Sequence, residues 1–198
     1  MKFDMILAGV GGQGVLSVAA IIAQAAVNEG LNVRQSEVHG MAQRGGAVLA
    51  HLRISDTAIA GDLVPKGGAD IIISMEPLES LRYTDWLAPS GALVTAIEPF
   101  VNISNYPETE TVLAVIKHCP LWRIIEAASL AKEAGLARAV NTVMVGAASA
   151  FLPIKVKTLE DTIAKVFSAK EAAVQTANTK AFQLGRRAAE NASKAGNV

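Results

Sequence analysis

The sequence predicts a single α/β domain: a mainly parallel sheet flanked by helices, with a helical C-terminal region. Three observations lead there. Short apolar runs ending in glycine or proline alternate with stretches whose apolar residues recur every three or four positions, the signature of strand–helix–strand units. Nothing in the 198 residues reads as a linker or an internal repeat, and that length suits one domain over residues 1–198. From about residue 129 to 192 the pattern is helical throughout.

Phe3 to Ala8 is an apolar run ending in glycines, suited to a buried strand. Val15, Leu16, Ala19, Ala20, Ile22, Ala23, Ala26 and Val27 then recur at helical spacing, and Gly30 is a natural stop. Leu31 to Ser36 forms a second strand, giving a βαβ start; a polar, glycine-rich segment from Glu37 to Gly46 leads to a strand over Ala47 to Ile54. Ala69 to Ser74, with Ile71, Ile72 and Ile73, is the clearest central strand. Pro77 suits the first turn of the next helix, whose inner face takes Leu78, Leu81 and Leu87. Pro89-Ser90-Gly91 reads as a turn, Ala92 to Ile97 as a strand, and Asn102 to Pro107 as loop. A helix over Thr111 to His118 and a last strand over Trp122 to Glu126 follow. Asn141 to Phe151 reads as a buried helix, and an amphipathic helical tail runs from Leu159 to Phe182 with a break near Ser168.

Composition narrows the function classes. Hydrophobic residues make up 51% and charged ones only 18%, below the roughly 25% usual in soluble domains; a surface partly covered by a partner gives this bias, as does a large core, and the partner reading is put ahead. Lys+Arg and Asp+Glu balance at 18 each with no basic block, which argues against nucleic acid. The single Cys119 permits no intrachain disulfide and cannot hold an iron–sulfur cluster; it reads as a small buried apolar residue. Three His and one Cys show no zinc-ligand spacing. Between Asp4 and Glu29 there is no charge, long enough to cross a bilayer, but Gly9, Gly11, Gly12, Gln13 and Gly14 interrupt the run. Asp4 also spoils the basic start of a signal peptide. The expectation is a cytoplasmic protein with no membrane span.

Gly9-Val10-Gly11-Gly12-Gln13-Gly14 falls where a strand ends and a helix begins, the spacing of a Rossmann-like dinucleotide turn. Glycines let the backbone turn tightly, and the first free N–H groups of the helix favour an anion by roughly 0.3–1 kcal/mol. The acidic residue that would hold a nicotinamide ribose is missing: the second strand ends Val33-Arg34-Gln35-Ser36, with Glu37 late. Two readings stay open, a phosphate site and glycines that only permit close helix–strand packing. Ser36 to Gly46 follows the second strand, so it belongs at the same sheet edge as the first turn. There Arg44, Gly45 and Gly46 offer a guanidinium and backbone N–H groups to an oxyanion.

Together, Gly9 to Val15 and Ser36 to Gly46 resemble the gamma-type domain of 2-oxoacid:ferredoxin oxidoreductases. The wording Val38-His39-Gly40-Met41-Ala42-Gln43-Arg44-Gly45-Gly46 is similar to the small subunit of the indolepyruvate type, and likeness at Ala69 to Leu81 and Asn141 to Gly146 extends it over most of the chain. The resemblance implies an enzyme that decarboxylates aryl pyruvates, reduces ferredoxin and releases an acyl-CoA. It implies that a large α subunit carries thiamine diphosphate and the iron–sulfur clusters, that ferredoxin is reached through the complex, and that this chain alone is inactive. A homodimer is allowed for the isolated chain. Gamma-type domains are associated with coenzyme A, so the expected cofactor-binding set is Gly9, Gly11, Gly12, Gln13, Gly14, Arg44, Gly45 and Gly46, with no catalytic residue and no metal ligand.

Other polar residues have structural readings ahead of functional ones. Glu76 beside Pro77 favours a helix N-terminus. Asp62 and Asp70 suit a turn and a strand start, and Arg34 a solvated strand edge. His39 reads as a hydrogen-bonded loop residue, His51 as a strand residue and His118 as a helix end. Trp86 and Trp122 read as core edge, and Asn141 as a cap or a polar link. Alternatives to the indolepyruvate reading are the gamma subunit for pyruvate or a branched-chain acid, a free-standing nucleotide-binding protein, and a purely structural subunit.

Overall fold

Strand β1 (Lys2–Val10) carries the first apolar run, and helix α1 (Val15–Asn28) the helical spacing that follows it. A computed structural model of the chain describes residues 1–39 and 45–195. The elements continue as β2 (Asn32–His39), β3 (Ala47–Ser55), β4 (Ala69–Ser74), α2 (Pro77–Leu81), β5 (Leu87–Ala96), α3 (Thr109–Ile116) and β6 (Leu121–Ile125). Helices α4 (Ala127–Glu133), α5 (Val140–Ala148), α6 (Val156–Val166) and α7 (Ala172–Ala195) complete the chain. Gly30 ends α1 with a left-handed φ of 78°, its N–H bonded to Val27 O.

Among the described residues six strands form one sheet in the order β2-β3-β1-β4-β5-β6. β1, β4, β5 and β6 pair in parallel, while β3 runs antiparallel between β1 and β2. The fold class is therefore the expected mainly parallel α/β domain, with one reversed strand. The βαβ start needs a correction, because β1 and β2 run the same way but β3 lies between them. β2 ends at His39 and β3 begins at Ala47, too short a separation for the crossover of a dozen or more residues that a parallel pair needs, and the two strands pair antiparallel.

Side-chain alternation divides the core into two layers. Met5, Leu7, Leu52, Ile54, Ile71, Ile73 and Val94 face α1, α4, α5, α6 and α7. Ile6, Ile72 and Leu93 face the other way, toward Val112 and Ile116 of α3 and the half-buried Leu78 and Leu81 of α2. The tail break near Ser168 is found between α6 and α7. Phe182 of α7 is 1% exposed, and burying such a side chain stabilises by roughly 1.5–3 kcal/mol.

The expected turn at Pro89-Ser90-Gly91 is instead part of β5, and Leu87 belongs to that strand rather than to α2. Ala69 pairs with Leu87 but Ile71 with Ala92, so the segment between is a bulge. A Cβ on Gly91 would lie 2.7 Å from Ala69 O, so only glycine lets the bulge close on β4.

Candidate functional site

The carboxyl ends of β1, β4 and β5 and the β2–β3 connection meet at one edge of the sheet. Gly11 and the second glycine segment are joined there by a backbone pair: Gly11 N–H donates to Gly46 O at 2.8 Å, and Gly45 N–H donates to Gly11 O at 3.3 Å. The structure thus brings Gly9, Gly11, Gly12, Gln13, Gly14, Gly45 and Gly46 together. Arg44 and the side chain of His39 lie outside the described residues.

The members of this set have different physical roles. Gly9 is a close approach, since a Cβ there would sit 2.7 Å from Val15 Cγ2. Gly14 is the N-cap of α1 with φ 80°, and a Cβ would fall 2.1 Å from Asn141 Nδ2. Asn141 is the expected polar link, donating to Gly14 O at 3.4 Å. Gln13 turns back on its own loop: its Oε1 accepts from Val10 N–H at 2.8 Å and its Nε2 donates to Met75 O at 3.2 Å. Gly12 differs from all of these. It is exposed, has φ 100°, and a Cβ there would meet nothing within 4 Å. Among the described residues the N–H groups of Gly12 and Gly14 donate to no protein acceptor, and the first N–H groups of α1 follow directly. Gly12 also holds a left-handed backbone, but unlike Gly9 and Gly14 it has no side chain pressed against the position of its missing Cβ.

Glu76 is buried and caps α2, its Oε2 accepting Glu79 N–H at 2.7 Å. The capping expectation holds, but the same carboxylate does more. Its Oε1 accepts from Phe100 N–H at 3.3 Å and from the Tyr106 hydroxyl. Burial, then the bond to Glu76, then its charge hold the Tyr106 hydroxyl far above the usual tyrosine range. Asn102 from the same 97–108 segment donates to Gly45 O at 2.6 Å. This third loop was absent from the expected site. The rule that carboxyl-end loops share one edge could have placed it, but its residues form no motif. Glu79, also buried, accepts from Arg82 Nε at 2.9 Å through Oε1, and burial raises its carboxyl above the usual range.

The remaining polar residues fall where their structural readings put them. Asp62 is exposed beside Arg34 at 3.8 Å, and Asp70 accepts Asp4 N–H at 2.7 Å, so the two carboxylates form no pair. Trp86 and Trp122 edge the smaller core layer. Cys119 is half-buried, and burial pushes its thiol up. Among the described residues no group of three or more His, Cys, Asp or Glu is placed to hold a metal, and no helix is long and apolar enough to cross a membrane.

A family model described as pyruvate ferredoxin/flavodoxin oxidoreductase matches residues 4–188. A protein of Archaeoglobus fulgidus named indolepyruvate oxidoreductase subunit IorB is 36% identical over 194 residues, covering 93% of this chain and 94% of the relative. Among solved structures, the 2-oxoglutarate:ferredoxin oxidoreductase of Magnetococcus marinus, with 2-oxoglutarate, coenzyme A and succinyl-CoA bound, superposes with a TM-score of 0.76 at 23% identity. The match covers 96% of this chain and 31% of that one. The gamma subunit of a keto/oxoacid ferredoxin oxidoreductase from Geobacter sulfurreducens gives a TM-score of 0.69 at 24% identity, covering 96% of this chain and 99% of that one. At these identities the structural likeness speaks to the fold.

Proposed function

The chain belongs to the pyruvate ferredoxin/flavodoxin oxidoreductase family, and from that premise we propose that it is the small, cluster-free subunit of a cytoplasmic indolepyruvate:ferredoxin oxidoreductase. The observation that carries the substrate class is the 36% identity, nearly end to end on both sides, to a protein named for indolepyruvate. With one cysteine in the whole sequence, iron–sulfur clusters belong to a larger partner, together with thiamine diphosphate. Ferredoxin is then reduced through the complex.

This chain's contribution is to seat coenzyme A, which supplies the thiol that takes the acyl group. The residues suit a phosphate of that coenzyme. Gly12 stands before open space, its N–H donates to no acceptor among the described residues, and the N-terminus of α1 lies behind it. Gly11, Gly45 and Gly46 tie the two loops so that this seat keeps its shape, and Gln13 and Asn141 brace it from below. Gly9 and Gly14 permit the packing, while Arg44 adds charge to the same loop.

The test is tagged co-purification from the source organism followed by kinetics on the complex. The expected partner is large, brown, and rich in thiamine and iron–sulfur, with ferredoxin reduction that needs both an aryl pyruvate and coenzyme A. Gly12→Asp should raise the KM for coenzyme A about tenfold or more relative to Gly12→Asn, which shares the backbone strain at φ 100° but not the charge, with the aryl-pyruvate KM unchanged. A lone colourless protein that binds NAD(P) would overturn the subunit assignment; an unchanged coenzyme A KM would overturn the seat.

A further inference from the structure

A concavity lies on the helical face, beside the first turn of α1. It is a groove of about 680 Å³ between α1, α5 and the α6–α7 junction, within the roughly 300–1,000 Å³ of small-molecule sites. Ala20, Ile21, Leu136, Val166, Phe167 and Val174 give it an apolar lining. Its polar floor is already satisfied: Thr142 Oγ1 donates to Asn178 Oδ1 at 2.6 Å, and Asn178 Nδ2 donates to Val174 O at 2.9 Å.

The charge at the rim is of one sign. Arg138 and Lys170 both line the groove, both are exposed, and neither pairs with a carboxylate among the described residues. The first turns of α1, α5 and α7 also reach it, through Ser17, Asn141, Thr142 and Val174, and none of those turns carries an acidic side chain. Glu171 stands just ahead of α7 and does not line the groove. Helix N-termini and two cations around an apolar trough favour one kind of occupant. We infer that this groove binds a small amphipathic anion, an aromatic or acyl body in the trough with its carboxylate, sulfonate or phosphate between Arg138 and Lys170. The volume of about 680 Å³ and a guanidinium with no carboxylate partner among the described residues argue for a small molecule with an anionic head. The groove adjoins the coenzyme A seat, sharing Asn141 and the first turn of α1 with it, but Arg138, Lys170 and the apolar trough belong to the groove alone.

The probe is 8-anilinonaphthalene-1-sulfonate, titrated into the full chain and followed by fluorescence, with the neutral N-phenyl-1-naphthylamine as its match. One saturable site is expected. Arg138→Gln and Lys170→Gln should together weaken the sulfonate probe at least about tenfold and leave the neutral probe within about twofold. Ala20→Phe, a surface change on α1 that fills the trough, should weaken both probes. Unfolding midpoints of the variants establish that each is folded. Equal affinity for the sulfonate probe in the charge-removed variant would overturn the inference, as would binding untouched by Ala20→Phe. Loss of the site when the chain is held in its purified complex would assign the groove to a partner segment and overturn it too.

Discussion

On β3 the imidazole of His51 is 5% exposed, and its Nδ1 accepts the Val64 N–H at 3.1 Å. That bond needs an unprotonated Nδ1. Burial first, and the nearby Arg53 charge second, lower the imidazole below its ordinary value of 6.5. A lowered folded-state value means that the unfolded chain binds the proton more readily, so stability from this site is full above about pH 6.5 and is lost as pH falls below it. Thermal unfolding should therefore show His51→Asn losing less stability than the parent between pH 7 and pH 5, though it costs about 1 kcal/mol at pH 7. Parallel pH profiles for the two would show that His51 titrates alike folded and unfolded. Residues whose partners are close in sequence were readable at this scale: Glu76 beside Pro77 announces a cap. Residues whose partners come from distant segments were not. The side chain of Gln13 meets Met75, and that of Asn102 meets Gly45, across separations that no local pattern encodes.

Helices α5 and α7 pack backbone against backbone. A Cβ on Gly146 would lie 2.0 Å from Phe182 O, and one on Gly185 would lie 2.0 Å from Val143 O. Neither carbonyl can swing away without disturbing its own helix. Gly146→Ala or Gly185→Ala gains up to about 1 kcal/mol in helix propensity but overpacks by more, for a net loss of about 2 kcal/mol. At this chain length the expected drop in Tm is about 4–8 °C for either variant. An unchanged or raised Tm would mean that the two helices can separate at little cost. The apolar and small residues of Asn141 to Phe151 announced a buried helix, but not which neighbour it would touch. In the same way, Pro89-Ser90-Gly91 carried a turn signal that the parallel neighbour β4 converted into a bulge. Local chemistry there allows both conformations, and pairing with Ala69 and Ile71 chose one.

The long C-terminal helix closes the larger core layer rather than hanging from it. Ala181, Phe182 and Ala189 of α7 are buried, and Arg123 Nε donates to Ala189 O at 2.7 Å from β6. Ending the chain after Glu171 would expose that layer and remove the acceptor of Arg123 Nε. The truncated chain is expected to lose its cooperative thermal transition by circular dichroism. A sharp transition near the parent Tm would show that α7 is an appendage.

The sequence by itself determined the α/β class, nearly every strand and helix, and the glycine turn between β1 and α1, because hydrophobic period and turn chemistry are local properties. It also carried the family likeness in the two glycine loops. Only the tertiary structure decided that β3 runs antiparallel between β1 and β2, since strand order depends on connection length and on which apolar faces can be buried together. It alone separated Gly12, which faces open space, from Gly9 and Gly14, which are pressed against Val15 and Asn141. Glycines spaced alike in a sequence carry no mark of what lies beyond their missing Cβ. That is set by segments arriving from elsewhere in the chain.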